Sequence, residues 1–133
     1  MGDLALGVPG VQQWVNDLPN DANRKFVADF KAKYKTYPSF YGAQAYDAAM
    51  LINSGVAAVK GDVAKKDEMR AEMKKANFGS VRGKFTFGNN QFPIQNFYLQ
   101  ETAKDADGVL TLKTVKTIVE NDKDKSSAKC PMQ

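Results

Sequence analysis

Two of the side-chain types that most often carry out chemistry are almost absent from this sequence. There is no histidine, and the single cysteine is Cys130. Without histidine there is no Ser-His-Asp or Cys-His nucleophile, no imidazole ligand for zinc, and none of the commonest general base near neutral pH. One cysteine excludes a cysteine-rich zinc site and a disulfide within the chain. Cys130 is therefore either a plain tail thiol or half of a bridge to a partner beyond this sequence. Gly7, Gly10, Gly79, Gly83 and Gly88 match neither a phosphate-binding loop nor a dinucleotide fingerprint. Asp105-Ala106-Asp107-Gly108 has the look of a calcium loop's opening, but the later acidic ligand is missing from its place. An Asp-Gly pair between two strand-like runs predicts a hairpin turn instead. Carboxylates are plentiful, yet no spacing singles out a catalytic pair. The expectation is a protein with no cofactor, no metal and no enzymatic activity, whose chemistry is binding.

The chain has 133 residues, 43% hydrophobic and 26% charged, a formal charge of +4 and a pI near 9.1. These values fit one globular unit with a moderate core. No apolar run approaches the roughly 20 residues of a membrane-spanning helix. The opening Met-Gly-Asp-Leu-Ala-Leu has no basic region and no cleavage site. That fits either a cytoplasmic chain or one whose N-terminal part lies elsewhere. The positive balance raises the alternative of a stand-alone basic interaction module, with nucleic acid as its partner. Against it, the lysines alternate with acids, as in Lys65-Lys66-Asp67-Glu68 and Lys104-Asp105, and form no block beside stacking aromatics. No nucleic-acid partner is expected.

The elements that must position any binding residue follow from periodicity. Leu4 to Leu6 reads as a short strand ended by a turn at Gly7-Val8-Pro9-Gly10, with Trp14 in the loop beyond. Asn20 or Asp21 caps a helix in which Phe26, Phe30 and Tyr34 form one apolar stripe. Tyr37-Pro38 breaks it, and Ser39 caps the next. From Ala43 to Val59 that second helix is apolar on most sides and so calls for cover on two faces. Gly61-Asp62 ends it. Asp67 caps a shorter helix with Met69, Met73 and Ala76 on one face. The period then falls to two: Phe85 and Phe87 mark a strand, Asn96 to Thr102 a second, and Leu110 to Val119 a third, followed by a polar tail from Asn121 to Gln133. The order predicts an α/β or α+β arrangement with helices on a small sheet.

Several stretches are specific enough to carry a likeness. Trp14-Val15-Asn16-Asp17-Leu18-Pro19-Asn20 through Val27 is one, and Tyr34 to Pro38 followed by Tyr41-Gly42-Ala43-Gln44-Ala45-Tyr46-Asp47-Ala48 is another. Ser80-Val81-Arg82-Gly83-Lys84-Phe85-Thr86-Phe87 and Phe92-Pro93-Ile94-Gln95-Asn96-Phe97-Tyr98-Leu99 follow, with a Cys-x-Met at Cys130 to Met132. In this order and spacing they resemble the C-terminal portion of periplasmic type I solute-binding proteins of ABC transporters for branched-chain amino acids or aromatic acids. The resemblance implies an α/β, partial type I periplasmic-binding-protein fold, its helices packed on an incomplete sheet. Residues from about 1 to 90 would finish one lobe; those from about 91 to 133 would supply crossover strands and the tail of the other. It further implies a periplasmic protein that captures an amino acid or a small aromatic or aliphatic carboxylate between two lobes and delivers it to an ABC permease, with a signal peptide expected upstream.

Three ligand-binding residues follow from the same likeness. Tyr41 opens the apolar helix where such proteins often set an aromatic against the solute. Gln44, one turn later, would offer an amide to the same cleft, and Trp14 would form a further wall. Tyr46 and Asp47 read as structural. If the chain folds alone, the second helix and the strand edges should expose apolar surface and favour self-association.

Overall fold

The computed structural model describes residues 2–129, so Cys130 and the Cys-x-Met terminus lie outside the described residues. The strands are β1 (Pro9–Gln12), β2 (Thr86–Phe87), β3 (Pro93–Lys104) and β4 (Leu110–Asp122), and the helices are α1 (Asp21–Tyr34), α2 (Phe40–Ala58) and α3 (Lys66–Lys74). β3 is the centre of the sheet. It pairs antiparallel with β1, with β4 over most of its length, and with β2 near its start. The expected mixed α/β architecture with a partial sheet is what the chain forms.

Helix starts follow local chemistry. Asn20 accepts from the Asn23 amide at 2.8 Å, and Ser39 accepts from Gly42 at 3.4 Å. α1 closes on Lys35, whose left-handed backbone (φ 58°) lets its amide reach Lys31. α3 departs from expectation. It begins at Lys66 with no side-chain cap, and Asp67 lies inside the first turn paired with Arg70. There the carboxylate still faces the positive end of the helix dipole. Gly55 lets α3 approach α2 closely, since a Cβ there would sit 2.9 Å from Met73 Cγ and 3.2 Å from the Met69 carbonyl.

Two sequence expectations for strands are corrected. Gly2–Ala5 is a 3-10 turn, not a strand; the strand is Pro9–Gln12. Proline lacks an amide donor but is tolerated as the first residue of an edge strand. Pairing with β3 fixes the segment: Gly7 donates to the Thr102 carbonyl, Thr102 donates to Val8, and Gly10 lies opposite Gln100. β4 also runs on to Asp122, into the stretch expected to fray, because Gln95 on β3 still pairs with it.

The core gathers on one side of the sheet. Trp14, Val15, Leu18, Phe26, Ala43, Val81 and Tyr98 pack together, with Tyr46 and Leu112 against them. Phe26 joins the parts, with ring centroids 6.1 Å from Trp14 and 4.8 Å from Tyr46. α2 is covered on one face only. Ala43, Asp47, Gly55 and Val59 are buried, whereas Tyr41, Ala45, Ala48 and Ile52 are exposed. No helix among the described residues is long and apolar enough to cross a membrane.

Candidate functional site

Tyr41 and Gln44 share one exposed turn at the start of α2. Tyr41 is 69% exposed, and its ring lies against Phe40 with centroids 3.9 Å apart. Ser39 caps the helix just before them and so fixes the direction in which both side chains leave it. Trp14 is placed elsewhere. At 2% exposure it belongs to the core, and its indole N–H donates to Asn23 Oδ1 at 2.7 Å. Asn23 in turn donates to the Asn16 and Leu18 carbonyls. The indole therefore anchors the loop to α1 from within and forms no open wall. Of the three sequence-predicted residues, the structure brings two together.

Asp47, read from the sequence as structural, is the centre of a buried polar assembly. Asp47 is 2% exposed. It accepts from Ser80 Oγ at 2.7 Å, from the Val81 amide at 2.9 Å and from Arg82 Nε at 3.0 Å. Arg82 also donates to Gln95 Oε1 at 2.8 Å and lies 4.5 Å from the centre of the Phe85 ring. A buried carboxylate is tolerable when donors surround it in this way. It ties α2 to the segment that leads into β2 and to the start of β3.

A groove of about 440 Å³ lies between α1 and the β3–β4 hairpin, with Val27, Ala28 and Leu112 as its apolar floor. At one side Asp105 Oδ2 accepts from Lys31 Nζ at 2.5 Å and from Tyr37 Oη at 2.9 Å. Lys31 also reaches Asp107 at 3.0 Å. The Lys31 hydrogen bond, with help from the Val109 amide, Tyr37 and the Asp107 amide, holds Asp105 well below the usual carboxylate range despite opposing desolvation. Hydrogen bonds donated to Asp105 and then to Asp107 raise Lys31 above the ordinary lysine value, again against desolvation. The Asp105–Gly108 segment is the hairpin turn that the sequence predicts: Gly108 has φ 77°, and Asp105 Oδ1 accepts from the Asp107 and Val109 amides. Among the described residues no cluster of acids, cysteine or histidine is arranged to hold a metal.

The basic surface is laced with acids. Lys25 pairs with Asp29, Lys65 with Glu68, Lys75 with Glu72 and Lys104 with Asp3. Such exposed pairs belong to a solvated surface.

The sequence matches the periplasmic binding protein family over residues 1–108. No curated protein was found to match it. Among solved structures it is similar to the solute-binding protein of an ABC transporter from R. palustris in complex with benzoate, with 37% identity, a TM-score of 0.81, and 93% of this chain and 33% of that one covered. It is also similar to a solute-binding protein from Rhodopseudomonas palustris BisB5 in complex with 3,4-dihydroxybenzoic acid (28% identity, TM-score 0.78, 96% and 34% covered). A third, from Rhodopseudomonas palustris HaA2 with p-hydroxybenzoic acid, gives 26% identity, a TM-score of 0.74, and 96% and 35% coverage. The chain thus spans about a third of the length of each solved structure named here. The matched proteins are described as periplasmic binding or solute-binding proteins of ABC transporters. With the match covering most of its length, the chain belongs to the periplasmic binding protein family.

Proposed function

We infer that this chain contributes part of the solute cleft of an ABC importer's binding protein, and that the solute is a small aromatic carboxylate. The observation that carries this reading is the 37% identity, over 93% of the chain, with a structure that holds benzoate. Two further similar structures hold hydroxylated benzoates, which favours an aromatic acid over the branched-chain amino acids that the fold also suits. In this reading Tyr41, backed by Phe40, presents its ring to the solute, and Gln44 offers an amide beside it. Residues up to about 90 complete one lobe and those beyond supply crossover strands and a tail. The compartment is the periplasm, with a signal peptide encoded upstream, and the receiving partner is an ABC permease.

Calorimetric titration tests this on the chain and on any longer product of its gene. Benzoate, 4-hydroxybenzoate, 3,4-dihydroxybenzoate and leucine are the ligands. The expected result is saturable binding of at least one benzoate, tighter than leucine, and weakened about tenfold by Tyr41→Ala through loss of aromatic contact. Binding of none of the four by a two-lobed product, or binding indifferent to Tyr41, would overturn it.

A further inference from the structure

A second polar site lies away from Tyr41, where β1, β3 and β4 come together at one end of the sheet. Gln13 follows β1, Gln95 and Asn96 lie near the start of β3, and Asn121 is near the end of β4. With Arg82 and Lys84 they line a small enclosed cavity of about 70 Å³. That is more than the roughly 30 Å³ share of one water molecule. Cations and amides make up its polar lining, and no carboxylate is among the lining residues.

Two features show how the site is built. The β3–β4 ladder steps from Gln95 opposite Asp122 to Phe97 opposite Val119, a bulge that leaves Asn96 facing both Glu120 and Asn121. Asn96 Oδ1 accepts the Asn121 amide at 2.8 Å, and Asn121 takes a left-handed backbone with φ 51°. Bulges and left-handed non-glycine residues recur where a sheet re-aims side chains toward a functional site. The second feature is Arg82. Asp47, Gln95 and the Phe85 ring hold it from three sides, so its remaining N–H groups are fixed in place. Asp47 offsets the charge of Arg82, which leaves Lys84 to give the cavity its net positive charge.

We propose that this cavity, formed by Arg82, Lys84, Gln95, Asn96, Asn121 and Gln13, binds a carboxylate group. A planar oxyanion suits the donor set, since guanidinium, ammonium and amide N–H groups can all donate to it and no acid is among the lining residues. The carboxylate is that of a free small acid, since the site lies away from Tyr41, where the proposed function seats the solute. Lacking a negative lining, the cavity has no use for a cation.

Formate and benzoate serve as the probes. The ¹⁵N-labelled chain is titrated with each sodium salt at constant ionic strength, following the Arg82 Nε–H and the Asn121 side-chain amide by NMR. Saturable shifts at both groups are expected. Lys84→Met and Asn121→Gly should each weaken the apparent affinity about tenfold, as loss of a charge-assisted hydrogen bond or of an amide donor implies. Neither substitution touches the core, and glycine adopts the left-handed backbone at 121 without strain, so an unchanged melting temperature will show that the fold survives. Saturation by either salt, weakened by both substitutions, supports the site as one for free carboxylates. Absence of saturable shifts with both salts, or shifts indifferent to both substitutions, overturns the proposal. A chain that fails to use Tyr41 can still bind formate here, so the two readings fail separately.

Discussion

Asp47 lies within the stretch Ala45-Tyr46-Asp47-Ala48, and a charged residue in so apolar a helix is already odd as a sequence feature. The structure supplies the reason, because its partners Ser80, Val81 and Arg82 lie more than thirty positions away and close on it only when the fold is complete. Removing one side of a buried, hydrogen-bonded pair leaves the other uncompensated. Asp47→Ala is therefore expected to cost about 3–5 kcal/mol, read as a lower urea midpoint at an unchanged slope. A change below about 1 kcal/mol, the level of an exposed pair, would show that the Arg82 segment is held by other means. Residues whose partners are near in sequence are legible: Ser39 reads as a cap, and Asn20 as one of two candidates with Asp21, because a cap reaches only three residues ahead. Arg82 and Asn121 are not. Nothing in the sequence brings positions 13, 95 and 121 together; strand pairing does. Trp14 was misplaced for a related reason, since a loop tryptophan looks the same whether its ring turns outward to a cleft or inward to Asn23.

Among the elements, helices were easier to read than strands, and β1 shows why. Pro9-Gly10 has the composition of a turn, and only the backbone of β3, some ninety residues later, makes it a strand. Helix packing allows a direct check. Gly55→Ala adds a Cβ that would meet the backbone carbonyl of Met69, which cannot swing aside as the Met73 side chain can. Overpacking costs about 1–3 kcal/mol, and alanine's better helix propensity returns about 1. A net loss of about 1 kcal/mol is expected, read by urea denaturation; a gain in stability would mean that α3 shifts freely on α2.

The hairpin makes a second prediction, in pH. Asp105, whose ordinary value is 3.8, is held lower in the fold, so its contribution to stability is present above that value and fades as the pH falls below it. Lys31, raised above 10.5, contributes below that value and loses its contribution only as the pH climbs higher still. The anchoring of the hairpin to α1 should therefore be flat from about pH 5 to 10 and weaken in acid. Urea midpoints measured between pH 2 and 5 should fall less steeply for Asp105→Asn than for the parent chain. Identical slopes would remove Asp105 from the acid response.

At the scale of the whole molecule, what matters is apolar surface without cover. α2 presents Tyr41, Ala45, Ala48 and Ile52 on its open face, with Ile52 55% exposed, and β1 and β4 expose Val11, Val115, Ile118 and Val119. The sequence already pointed this way, because a helix apolar on most sides needs two packed faces and few elements were on hand to provide them. A chain that spans a third of its structural relatives has correspondingly fewer surfaces to set against its own. Uncovered faces of this kind drive association, since fully burying one isoleucine side chain contributes roughly 1.5–3 kcal/mol. The isolated chain should sediment as larger species with rising concentration and should bind a hydrophobic dye. Ile52→Lys places a charge in the middle of the α2 face and should lower the association constant by about tenfold or more. Ile52 makes no contribution to the buried core, so the far-ultraviolet dichroism and melting curve of the variant should match those of the parent. A parent chain that stays monomeric and dye-free at high concentration, or a variant that associates as strongly as the parent, would mean that this face is not the one that seeks a partner.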